Sequence, residues 1–257
     1  MPALTAHDPL GLALLVVAGA VASGINSIAG GGSLISFPML VGLGVPELRA
    51  NATNAVALWP GSLTGALGFR EHLHKTRDHL PDLILPALLG SAAGAAILLA
   101  TPERLFRQAV PVLILFATLL LAYQPQIRAL GKRRDFRISK LGGAACQFLI
   151  SLYGGYFGAG MGILMLAYLG LMLDDDLHAL NALKGWLGLI INFVASIVFI
   201  AKGLVLWEPL AAMLCGSLIG GYAAARVAVR VDPDRLRKGI VVLGFVMVAW
   251  FTYKVIL

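Results

Sequence analysis

Lys184 is the one basic residue of this chain that falls inside a long apolar run, "LNALKGWLGLIINF". Asn181 stands three residues before it and Asn192 two turns after it. A matching stretch, "RANATNAVALWPGS", places Asn51, Thr53 and Asn54 at the head of another apolar run. An ammonium group surrounded by amide and hydroxyl donors is chemistry for holding an anion, and a charge within lipid usually marks a pathway. The carboxylates are distributed in the opposite way. All thirteen fall in loops, termini or helix ends, so none is available mid-span for a proton relay or a sodium site. Two plainer readings stand beside this one. Lys184 lies near a helix end and can reach water along its own stem. The asparagines can cap helices or join neighbouring ones.

Each polar stretch follows a glycine-rich interruption. "SGINSIAGGGSLISFP", residues 23 to 38, carries Asn26, three consecutive glycines, Gly30, Gly31 and Gly32, and then Ser33. The second half supplies Gly158, Gly160 and Gly162. A glycine costs a helix about 1 kcal/mol relative to alanine, so a run of them inside an apolar segment predicts a broken helix. Residues from Ser33 onward then open a new helix whose free N–H groups and dipole favour an anion. Close helix packing through small residues is the competing role for any single glycine.

The elements that must position these groups are membrane helices. The chain of 257 residues is 59% apolar and only 13% charged, too little polar surface for a soluble domain. Ten apolar segments are expected, at 10–29, 33–44, 51–69, 82–100, 106–124, 140–157, 160–173, 181–201, 208–225 and 239–257. The second of each five is too short for a span of about 20 residues, which leaves open whether 33–44 and 160–173 cross or re-enter.

A shift of 130 lays Ala29-Gly30-Gly31-Gly32 over Ala159-Gly160-Met161-Gly162, Gly24 over Gly154, and Asn51-Ala52 over Asn181-Ala182. "GSAAG" (90–94) resembles "GSLIG" (216–220), and Pro102 matches Pro233. These matches predict a duplication, with a first repeat at 1–125, a basic linker at 126–139 and a second repeat at 140–257. Five segments per copy turn the second copy upside down. The loops at 70–80, 125–140 and 226–238 carry fourteen of the twenty basic residues, which assigns them to the cytoplasm and both termini to the outside. The net charge of +7 therefore reads as topology-setting charge, and no nucleic-acid partner is expected.

Cys146 and Cys215 lie in apolar segments and suggest no disulfide framework. "EHLHK", with His72, His74 and nearby His79, reads as a solvated loop; no metal site and no cofactor are expected. No nucleophile–base pair, phosphate loop or HExxH motif occurs, so no enzyme is expected.

"INSIAGGGSLISFPMLVGLGVPELRANATNAVA" resembles the first-half signature of the TauE/SafE family of sulfite exporters, and "GAGMGILMLAYLG" followed by Lys184 resembles the second. The resemblance implies export of small anions, such as sulfite or organosulfonates, across the bacterial inner membrane. Ala55 stands where the family often has a lysine, and Leu183 where a threonine is expected before the second lysine. Both departures allow a substrate other than sulfite.

The reading is an all-α polytopic membrane protein of two inverted repeats, each with about five helical segments and a short or broken second one. It exports a small anion from a midplane site at the broken helices. Asn26, Gly30, Gly31, Gly32, Ser33, Asn51, Thr53, Asn54, Gly158, Gly160, Gly162, Asn181, Lys184 and Asn192 form the candidate substrate site. Trp59 and Trp186 either wall the site or simply pack. The expected partners are a small anionic substrate, the lipid bilayer and, as one option, a second copy in a homodimer. A passive anion channel and a non-transporting accessory protein are the alternatives.

Overall fold

The computed structural model describes residues 5–28, 31–68, 74, 76–130, 139–173, 177–227 and 233–256. Gly30, Asp174 to Asp176, Glu71, His72 and most of the basic linker lie outside the described residues.

The described residues are helical. They form α1 (Pro9–Ile28), α2 (Ser33–Gly42), α3 (Glu47–Gly68), α4 (Leu80–Ala100), α5 (Glu103–Ala122), α6 (Gln124–Leu130), α7 (Lys140–Tyr156), α8 (Met161–Met172), α9 (Leu177–Ala201), α10 (Trp207–Val227) and α11 (Pro233–Ile256). Ten of these match the ten expected segments closely. α6 is additional: a two-turn helix that follows Tyr123 and takes up the first residues of the expected 126–139 linker, too short and too polar to register as an apolar run.

The short second segments are returns. α2 is 10 residues and α8 is 12, or about 15 and 18 Å at 1.5 Å per residue. Ala6 N–H, just before α1, donates to Leu43 O at the far end of α2 (3.1 Å), so α2 runs back alongside α1. α8 runs back alongside α7. A β-carbon at Gly143, near the start of α7, would meet Met172 Sδ at 2.4 Å, and one at Gly154 would meet Met161 Sδ at 2.7 Å. Each pair is an antiparallel hairpin, and its turn lies about half a hydrocarbon thickness from the end of the returning helix.

The long helices are locked by glycine. α1 packs most heavily on α10, and α4 on α7. The two "GSxxG" motifs sit in these seams. A β-carbon at Gly216 or Gly220 of α10 would lie 1.9 or 2.0 Å from the carbonyl oxygens of Val16 and Ala20. At Gly90 or Gly94 of α4 it would lie 2.3 or 2.0 Å from those of Phe148 and Leu152. Small residues let helix backbones approach this closely in lipid, where apolar side chains gain little from meeting each other. The serine of each motif is buried and donates to a third helix, Ser91 Oγ to Ile191 O (2.6 Å) and Ser217 Oγ to Ala57 O (2.8 Å). α3 crosses α9 beside Trp59, whose indole N–H donates to Leu189 O, 130 positions further along the chain (3.1 Å). α5 packs on α11.

The seam predicts its own mutational profile. Gly216→Val drives a side chain into Val16 O and should cost on the order of 1–3 kcal/mol or more, lowering the thermal midpoint in detergent. Gly239→Ala, with nothing within 4 Å of the added carbon, should leave it unchanged.

Candidate functional site

The first break is made at Gly31, whose φ of 88° lies in the left-handed region that only glycine enters without strain. Gly32 is already helical, with φ −58° and ψ −29°. Its missing side chain serves packing, since a β-carbon there would sit 2.0 Å from Ala22 O. α2 opens at Ser33, as the glycine run implies. In the second half the chain reverses at Gly158 (φ 77°) and Gly160 (φ 78°). Gly162 belongs to the first turn of α8 rather than to the break.

The helix starts are less open than the sequence suggests. Asn26 Oδ1 accepts from Gly32 N–H at 2.7 Å. Leu34 N–H donates to Gly31 O and Ile35 N–H to Gly32 O, at 3.0 and 2.9 Å. At the second break Met161 N–H donates to Gly158 O and Ile163 N–H to Gly160 O, at 3.2 and 3.0 Å. Tight i→i+3 turns use up donors that a straight helix start would leave free. Tyr153 OH donates to Ala159 O (2.5 Å), which steadies the second turn further.

The first-half polar residues are likewise engaged by protein. Asn54 Oδ1 accepts from Ser36 Oγ of α2 at 2.5 Å. Asn51 Nδ2 donates to Tyr156 O, the last carbonyl of α7, at 2.9 Å. Thr53 Oγ1 accepts from Leu206 N–H at 3.1 Å, at the entry to α10. A capping role for Asn51 is excluded, because α3 begins a full turn earlier at Glu47. These side chains tie α3 to α2, to the second break and to α10. Ser36, Tyr153 and Tyr156 complete the arrangement; Ser36 stood within the glycine-rich stretch, while the two tyrosines carried no signal in the sequence.

The second-half cluster differs. Lys184 is half-buried, two turns into α9, and its Nζ donates to Asn181 Oδ1 at 2.9 Å. A β-carbon at Gly162 would lie 3.5 Å from Lys184 Cδ, so the lysine stem runs past the first turn of α8. Asn192 is half-buried two turns further along α9. The Trp186 indole N–H on the same helix is buried and has no hydrogen-bond partner among the described residues. The structure thus brings Lys184, Asn181 and Gly162 together at one break, and gathers Asn26, Gly31, Gly32, Asn54 and Ser36 around the other.

Glu47 was legible only as a helix-end acid. It is 5% exposed. Its carboxylate takes Lys254 Nζ of α11 at 3.2 Å on one oxygen and Arg107 Nε of α5 at 3.5 Å on the other.

Among the described residues, five helices are long and apolar enough to cross a membrane: 9–26, 77–100, 103–122, 179–201 and 234–256. A family model described as "Sulfite exporter TauE/SafE" matches residues 15–251. A "Probable membrane transporter protein" of Haemophilus influenzae is 29% identical over 245 residues, 94% of each chain. "Probable membrane transporter protein YfcA" of Escherichia coli K12 is 26% identical over 250 residues, 96% of this chain and 91% of its own. "Probable membrane transporter protein ORF9" of a Sinorhizobium species is 27% identical over 243 residues. No solved structure matches the chain.

Asn26 is predicted to hold the backbone of the break. Asn26→Ala strands the Gly32 amide and should cost about 1–3 kcal/mol, read as a lower thermal midpoint in detergent free of any added anion.

Proposed function

Because this chain belongs to the TauE/SafE sulfite exporter family, a family of multi-pass membrane transporters, we propose that it carries a small anion outward across the bacterial inner membrane. The substrate class is a sulfur oxyanion or an organosulfonate. The observation that carries the reading is Lys184, whose stem runs past the first turn of α8 beside the second break and whose Nζ donates to Asn181 Oδ1.

The site is unequal between the halves. Asn51, Thr53 and Asn54 hydrogen-bond protein partners and shape the site, and the proposed contacts of the anion are Asn181 and Lys184. Ala55, in place of a first-half lysine, leaves a single countercharge, which suits a monoanionic head group. Outward movement of such an anion from a negative-inside cell gains about 2.3 kcal/mol per charge per 100 mV. No coupling ion is then required.

The two halves are read as inverted repeats. Exchanging each helix for its counterpart maps the α1/α10 seam onto the α7/α4 seam, and the α3/α9 and α5/α11 pairs onto themselves. The basic loops on one side support the same orientation, with both termini outside.

Purified protein in liposomes should transport sulfite or a short alkanesulfonate with saturable kinetics and counterflow. Lys184→Met removes a charge-assisted hydrogen bond worth about 1.5–3 kcal/mol. It should raise the half-saturating concentration about tenfold to a hundredfold, while Lys202→Met, at the exposed end of α9, should not. Equal behaviour of the two variants would remove Lys184 from the site, and flux that never saturates would indicate a channel.

A further inference from the structure

The helices divide into two packed groups. α1, α3, α4, α7, α9 and α10 interlock through the seams described above. α5 and α11 pack chiefly on each other and meet the rest mainly through α2, α3 and α8. Both breaks face this second group. A β-carbon at Gly31 would lie 3.4 Å from Leu121 Cδ2 of α5, and one at Gly160 would lie 3.5 Å from Leu120 Cδ1 and 3.6 Å from Ala117 Cα. The α5/α11 pair is therefore the wall across the chain breaks.

Two kinds of contact join that wall to the remainder at the end where α3 begins. One is aromatic: Phe37 of α2 stacks on Phe251 of α11 at 5.8 Å, and Phe157 of the second break lies 5.5 Å from Phe37 and 6.5 Å from Phe106 of α5. Such packing is non-directional and tolerates sliding. The other is ionic and directional: Glu47 of α3 receives Arg107 of α5 and Lys254 of α11, one on each carboxylate oxygen. Glu47 is buried while both cations are about half exposed, so loss of both would leave a desolvated carboxylate without compensation, and loss of one leaves the other in place. The position 130 beyond Glu47 is Leu177, so the duplication does not repeat the carboxylate; Asp174 to Asp176 just before it lie outside the described residues.

We propose that the Glu47–Arg107–Lys254 triad is a latch. It clamps the α5/α11 wall to the first turn of α3 and keeps the breaks covered from that end, and its release lets the pair swing as a unit. The inference rests on the reading above only in calling this end outer. α3 also carries Asn51, Thr53 and Asn54, so opening of the latch is transmitted to both breaks through the bonds to Ser36 and Tyr156 O.

The test is a distance measurement in lipid by pulsed electron paramagnetic resonance. Nitroxides go on Arg49→Cys and Arg104→Cys, both exposed, in a chain whose Cys146 and Cys215 are replaced by alanine. With the triad intact, one narrow distance is expected. Glu47→Gln should add a longer component; Lys254→Gln and Arg107→Gln should add smaller ones, since one cation remains in each. If Glu47→Gln fails to fold, the Lys254→Gln variant decides. A folded variant with a lower thermal midpoint but an unchanged distance distribution would overturn the latch and leave the triad a static brace. No substrate enters this measurement, so its failure is separate from any failure of the anion-flux experiment.

Discussion

A chain that turns around inside a bilayer must satisfy its own backbone there, because no water is at hand to do so. That constraint governs both breaks. Asn26 answers the amide of Gly32, Tyr153 answers the carbonyl of Ala159, and Asn51 answers the carbonyl of Tyr156. The last of these reaches across from the first half of the chain to the second. Remove these bonds and each turn holds stranded polar groups in a low-dielectric setting. The helices that pack around the turns, and the lysine that runs past one of them, depend on the turns being kept.

The architecture was legible because its signals are strong and local. Apolar runs bounded by charge mark membrane helices, and their ends came within four residues of those observed except at α11, which begins six residues before the expected start. The glycine run at 30–32 and the spaced glycines at 158–162 marked the breaks, since few other reasons exist to place so many glycines in an apolar run. The finer division of labour was not legible. Gly31, Gly158 and Gly160 bend the chain, whereas Gly32 clears room for Ala22 O and Gly162 makes no demand of either kind, lying in the first turn of α8 at ordinary distance from the Lys184 stem. Sequence alone does not separate a glycine needed for its φ from one needed for its lack of a side chain.

The site followed the same rule. The residue types in "RANATN" and "NALK" indicated hydrogen bonding at depth, and those residues do hydrogen-bond. Lys184 and Asn181 bond each other within one helix turn, but the partners of Asn51, Thr53 and Asn54 are a carbonyl, an amide and a serine on other elements, which no local pattern encodes. Asn51 illustrates this, since it meets a carbonyl 105 residues away. Glu47 was hidden for the same reason: its burial depends on Arg107 and Lys254, which arrive from the fifth and the last helix.

The seam between α1 and α10 has a bearing on how the protein is made. α1 leaves the ribosome long before its mate, since the helix that covers Gly19 and the backbone of Val16 and Ala20 does not begin until Trp207. At about 5–20 residues per second, the opening helix waits on the order of ten to forty seconds for its mate. Over that interval its carbonyl-lined groove faces lipid or the insertion machinery. Biogenesis of this chain is thus a late closure, in which one of the last helices made completes the packing of the first.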